Sequence, residues 1–145
     1  MNQACPISLQ RVDTHFVRII ALQVVVIAML LAITQELIFA YVLLFDFTVR
    51  LAKRKHLSPF AHIAQRSIQL LDIHPKLCDE APKRFALYVG LVTIALATLS
   101  YLVGWTEFAS VIVAVLILCA SLEAAFDYCV GCKVYHLLQY LKIKR

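Results

Sequence analysis

Four apolar runs govern what this chain can fold into. They extend from about Val17 to Ile33, from about Gln35 to Val49, from Phe85 to Gly104 and from Phe108 to Asp127. The last two each hold about 20 residues, enough for a helix to cross ~30 Å of hydrocarbon at 1.5 Å per residue. The first two are shorter. The break between them, Thr34-Gln35-Glu36, has neither Gly nor Pro. It reads as a tight helical hairpin, which gives four crossings. The rival is one tilted helix from Val17 to Val49 and three crossings. That helix would bury Gln35 and Glu36 in hydrocarbon, at a cost of a few kcal/mol. With 62% hydrophobic and 16% charged residues in a chain of 145, a soluble domain could not keep this surface from water. Disorder needs low hydrophobicity. The expected class is therefore an all-α integral membrane protein, one domain over 1–145. The first fifteen residues are polar and no A-x-A-like site follows the first run. That run is expected to stay as a membrane helix rather than leave as a signal peptide.

The basic residues fix an orientation. Arg11 and Arg18 precede or begin the first run. Eight more, from Arg50 to Arg84, lie between the second and third, and Lys133, Lys142, Lys144 and Arg145 follow the fourth. The short connections near Thr34–Glu36 and Trp105–Glu107 have none. With four crossings every basic segment shares one face, and the positive-inside rule makes that face cytoplasmic, with both termini on it. Three crossings would split them. The net charge of +5 is then a topology signal and a contact with lipid headgroups. Nothing in it calls for nucleic acid, since no basic–aromatic stripe occurs.

Between the second and third runs, Ser58-Pro59 reads as a helix start, with Ser as N-cap and Pro at N1. Phe60, Ile63, Ala64, Ser67, Ile68 and Leu71 follow with the spacing of one helix face. An interfacial helix over about 59–73 is expected, ended by His74-Pro75. A short basic amphipathic tail helix is expected over about 132–143.

The chemistry-bearing residues gather near the end of the fourth run. Cys129-Val130-Gly131-Cys132 is a C-x-x-C pair, able to close a disulfide, hold a metal or relay sulfur. On a reducing face a permanent disulfide is the least suited use. A tail-helix N-terminus would favour thiolate at Cys129, while Asp127 would oppose it. Cys5, on the same face, adds a third thiol. Cys119 reads as packing and Cys78 as a loop residue. Cys129, Cys132 and His136 have the spacing C-x2-C-x3-H, and Cys5 could complete a zinc site. Asp46 and Arg50 stand four apart and neutralise each other. Glu123 and Asp127 also stand four apart and need a cation from elsewhere, Lys83 or Arg84. They could instead relay protons to the dithiol.

Further stretches mark a family. They are Cys5-Pro6-Ile7-Ser8 with Val12-Asp13, Leu44-Phe45-Asp46 with Arg50, Ala81-Pro82-Lys83-Arg84-Phe85-Ala86 with Gly90, and Glu123 to Cys132 with Tyr135. In this order they resemble the bacterial membrane proteins of domain-of-unknown-function family 4395. The family pattern often has Gly where Asp127 stands; Cys78, Cys119 and His136 match none of its motifs. The resemblance implies four membrane helices in a bacterial inner membrane. It also implies an association with thioredoxin-like or rhodanese-like proteins.

The expected function is cytoplasm-facing thiol–disulfide or persulfide exchange by Cys129 and Cys132, with Cys5 as third participant. A quinone in the bilayer is a candidate electron sink. Whether the chain is an enzyme stays open, and neither the attacking cysteine nor the substrate can be read from sequence. One alternative is transport of a small sulfur compound or metal ion past Asp46 and Glu123, which predicts an oligomer. The other is a structural membrane partner. No phosphate loop, H-E-x-x-H motif or nucleophile elbow is present.

Overall fold

The computed structural model describes residues 11–145. Six helices dominate them: α1 (Thr14–Thr34), α2 (Leu37–Leu51), α3 (Pro59–Leu71), α4 (Glu80–Val103), α5 (Thr106–Phe126) and α6 (Val130–Ile143). Two short strands, β1 (Arg11–Asp13) and β2 (Leu77–Asp79), pair antiparallel, with Val12 opposite Cys78. Among the described residues α1, α4 and α5 are long and apolar enough to cross a membrane. The fold is thus all-helical apart from the β1–β2 ribbon, and suited to a multi-pass membrane protein. At 15 residues α2 is shorter, about 22 Å at the helical rise.

The chain does break between the first two runs. Gln35 takes a left-handed conformation (φ 54) and its N–H returns to the Leu31 carbonyl, while Glu36 is extended. One αL residue followed by an extended one turns the chain without Gly. Leu37 can then start α2 back along α1.

Three contacts show which helix ends lie together. The β1–β2 ribbon ties the start of α1 to the start of α4. Asp13 caps α1 through the His15 N–H (3.0 Å) and also accepts from the Lys76 N–H (3.3 Å). The Arg18 guanidinium, one turn into α1, donates to the Ala124 and Ala125 carbonyls (3.0 and 3.2 Å), which satisfies the end of α5. The starts of α1 and α4 and the end of α5 therefore share one end of the bundle, here called the basic end. The core between the helices is apolar and small-residue rich: Ala28, Leu31, Ala40, Leu43, Ile94, Ala97, Ala109 and Val113 are fully buried. Leu22, Val26, Leu96, Leu99, Val111 and Leu118 point outward, as lipid-facing residues would.

Several boundaries differ from the sequence expectation. α1 begins at Thr14, because Asp13 supplies a cap ahead of the apolar run. α4 begins at Glu80, five residues before Phe85, and carries Pro82 in its first turn, where a missing N–H is harmless. α3 ends at Leu71, where Asp72 turns left-handed, short of Ile73. It is not only an interfacial helix either. Phe60, Ala61 and Ala64 are buried, and the helix packs on α1 with Leu70 and Leu71 left outside. α6 begins at Val130 rather than Cys132.

Candidate functional site

At the basic end, α5 stops at Phe126. Asp127 is left-handed (φ 55) and returns its N–H to the Glu123 carbonyl at 3.1 Å. That conformation favours Gly, so a Gly here needs no functional reason. Tyr128 follows and Cys129 becomes the N-cap of α6, its Sγ accepting from the Cys132 backbone N–H at 3.3 Å. A cysteine thus takes the place usually held by Ser, Thr or Asp.

Position makes the two thiols unequal. The Cys132 thiol donates to Cys129 Sγ, and this bond holds the Cys129 thiol below its ordinary range. Burial and the Glu123 carboxylate push the other way; the Cys132 backbone N–H and Lys83 assist the lowering. The same thiol–thiol bond, with burial added, drives Cys132 far up. The two thiols are thus shifted in opposite directions, Cys129 down and Cys132 up. The opposing carboxylate is Glu123, where the sequence suggested Asp127. The Asp127 carboxylate, about a third exposed, lies 3.9 Å from the Lys83 ammonium.

Lys83, near the start of α4, also stands 3.9 Å from Glu123 Oε1. It is the cation that the two acidic residues required; Arg84 is exposed instead. Asp46 is fully buried near the end of α2. Its Oδ2 meets Arg50 Nε and Nη2, both at 2.7 Å, and its Oδ1 accepts from the Ser58 hydroxyl. Ser58 also caps α3 through the Ala61 N–H, so Asp46 fastens α2 to α3. Arg50 lies over the Phe47 ring, 4.9 Å from its centre. Only Nε is aligned to donate to Oδ2. Buried Nη2 has no hydrogen-bond acceptor among the described residues.

A cavity of about 240 Å³ opens at this end. Arg50, Lys83, Glu123 and Cys129 line it, together with apolar residues of α1, α4 and α5 such as Val24, Leu87 and Leu116. Cys119, one turn before Glu123, lines it too. Its sequence neighbours are all apolar, so nothing local set it apart from packing. Ser58 is the N-cap that the sequence suggested, but its bond to Asp46 and the Arg18 bonds to α5 were missed, since those partners are distant in the chain.

α6 closes the site by packing on α4. A Cβ at Gly131 would lie 2.6 Å from Ala86 Cβ and 2.7 Å from Ala86 Cα. Only Gly permits this approach. Beyond it the Phe85 and Tyr135 rings meet at 5.6 Å. Among the described residues Cys78, Cys119, Cys129 and Cys132 are free, and Cys78 Sγ donates to the Val12 carbonyl within the ribbon. No three His, Cys, Asp or Glu residues cluster as metal ligands among the described residues, and His136 is exposed. Cys5 lies outside the described residues.

The arrangement is a pair of unequal thiols at a helix N-terminus, bordering a cavity with ionic groups at one end and apolar walls beyond. No curated protein and no solved structure matches the chain. The family comparison does give a match, to the description "Domain of unknown function (DUF4395)", over residues 12–140. Running from β1 to Tyr140 of α6 and taking in every charged and thiol group of the site, that match makes this chain a member of the domain-of-unknown-function family 4395.

Proposed function

We propose that this chain is a four-crossing protein of a bacterial inner membrane, with α1, α2, α4 and α5 as the crossings. It exchanges thiol and disulfide, or carries a persulfide, at Cys129 and Cys132. The β1–β2 ribbon supports α2 as a crossing: α1 and α4 start at the same end, so the chain must return between them. α2 is the segment available, and a span shorter than the hydrocarbon is accommodated by local thinning of the bilayer. Both connections at the far end lack Lys and Arg, which supports a cytoplasmic basic end and cytoplasmic termini.

The observation that carries the redox reading is Cys129 as N-cap of α6, its Sγ bonded to the Cys132 N–H. A packing cysteine has no need of a helix N-terminus, whereas a nucleophilic one gains thiolate there. A thioredoxin-like or rhodanese-like soluble protein is the exchange partner. Cys129 attacks and Cys132 resolves, with Cys5 as receiving thiol.

Differential thiol labelling in sealed inverted membrane vesicles tests this, read by peptide mass for all five cysteines. Cys129 and Cys132 label when reduced and are protected together after mild oxidation. Silence of both in every redox state ends the proposal. Labelling released only by a chelator replaces it with a zinc site.

A further inference from the structure

Arg50 lines the cavity, and its buried Nη2, though 2.7 Å from Asp46 Oδ2, makes no aligned hydrogen bond among the described residues. An Nη2 carries two N–H groups and one carboxylate oxygen cannot align both, which leaves a donor that a ligand oxygen in the cavity would satisfy. The Lys83 ammonium borders the same space. Two donors suggest an anion, yet the charges argue against one. Arg50 is matched by Asp46, and Lys83 by Glu123 and Asp127. Two cations facing three carboxylates leave no positive excess for an acid or a phosphate. A neutral molecule with acceptor oxygens fits. Its remainder must be apolar, since Val24, Leu87 and Leu116 form the walls. Of the two thiols of the pair, Cys129 borders the cavity and Cys132 does not.

We propose that the cavity binds the head of a membrane quinone. One carbonyl oxygen accepts from Arg50 Nη2 and Lys83 Nζ, and the ring lies beside Cys129. This rests on the thiol-exchange reading and supplies its electron acceptor. The Cys129 thiolate, the Cys132 thiol, the quinone and one proton give a Cys129–Cys132 disulfide and a quinol. One S–S bond forms and the Cys132 S–H bond breaks. The two electrons leave the sulfurs for the ring, and two O–H bonds form on its oxygens. One proton comes from Cys132. The other enters from water through Lys83 and Glu123. A soluble dithiol partner then reduces the disulfide again.

The test uses the full-length protein in lipid nanodiscs, reduced, desalted and kept anaerobic. Decylubiquinone and menadione are added separately. Loss of quinone absorbance and of free Cys129 and Cys132 are followed together, with one quinol expected per disulfide. In parallel, glutathione disulfide oxidises the same pair from the aqueous side. Ala120→Phe, at an α5 residue that lines the cavity, is expected to slow quinone-driven oxidation at least tenfold and glutathione-driven oxidation less than twofold. Val115→Phe serves if that variant does not fold. An azido-quinone is expected to label peptides of α1, α4 or α5 around the cavity. Oxidation by glutathione disulfide but by neither quinone, or labelling by azido-quinone only elsewhere, overturns the quinone site and leaves thiol exchange standing. Failure of both oxidants overturns thiol exchange as well.

Discussion

Cys129 and Cys132 are the same residue type three positions apart, yet the structure shifts their acidities in opposite directions. The difference arises from where α6 starts. Cys129 precedes the first turn and its sulfur meets the Cys132 N–H; Cys132 lies inside that turn and its thiol points back to Cys129. Alkylation of Cys129 by iodoacetamide should therefore reach half its maximal rate at a pH below that of an ordinary thiol, about 8.5. Because a hydrogen-bond donor favours thiolate, Cys132→Ala should move that midpoint upward. Lys83→Met should do so as well, by less. Peptide mass after timed quenching reads both, and a midpoint unmoved by Cys132→Ala would contradict the assignment. The sequence left the attacking cysteine open for a physical reason. It suggested a tail helix from Cys132, and a shift of two residues at a helix start changes which thiol caps it. Glu123 and Asp127 were legible as acids in need of a cation. Spacing alone could not choose Lys83 over Arg84, because that depends on how α4 is rotated against α5.

Among the elements, α6 has no buried residue, and it docks on α4 through the close approach of Gly131 to Ala86 and the Phe85–Tyr135 ring contact. Gly131→Ala should push α6 off α4 and destabilise the protein by about 1–3 kcal/mol, the usual range for overpacking. Hydrogen exchange along α6 should rise, and Cys129 should lose the pH midpoint that its cap gives it. Adding Ala86→Gly should restore little, since Ala86 Cα itself would stand 2.7 Å from the new Cβ. Full rescue by that second change would show that only the methyl groups clash. The helices were readable because apolar runs of this length have few other uses. The Gln35 turn could be placed but not typed, as no Gly or Pro marked it. β1 and β2 went unseen. Three residues give no period to detect, and their pairing joins Val12 to Cys78 across 66 positions.

At the scale of the whole molecule, direction is the testable quantity. Single cysteines introduced into a cysteine-free form at Glu36 and at Thr106 should react with an impermeant maleimide from the same side of a sealed vesicle. A cysteine at Lys133 should react from the opposite side. Glu36 and Lys133 reacting from one side would exclude α2 as a crossing. The ribbon that fixes this geometry also sets an order of construction. β1 leaves the ribosome long before β2, so α1 and α2 are made while the strand beside them has no mate. Closure across that interval carries a loop-entropy cost of a few kcal/mol, met only when Leu77–Asp79 arrives. α4 begins at the next residue. Strand pairing therefore sets the start of α4 close to the start of α1. The smallest element of the fold is thus the clasp that fastens the start of its second half to the start of its first.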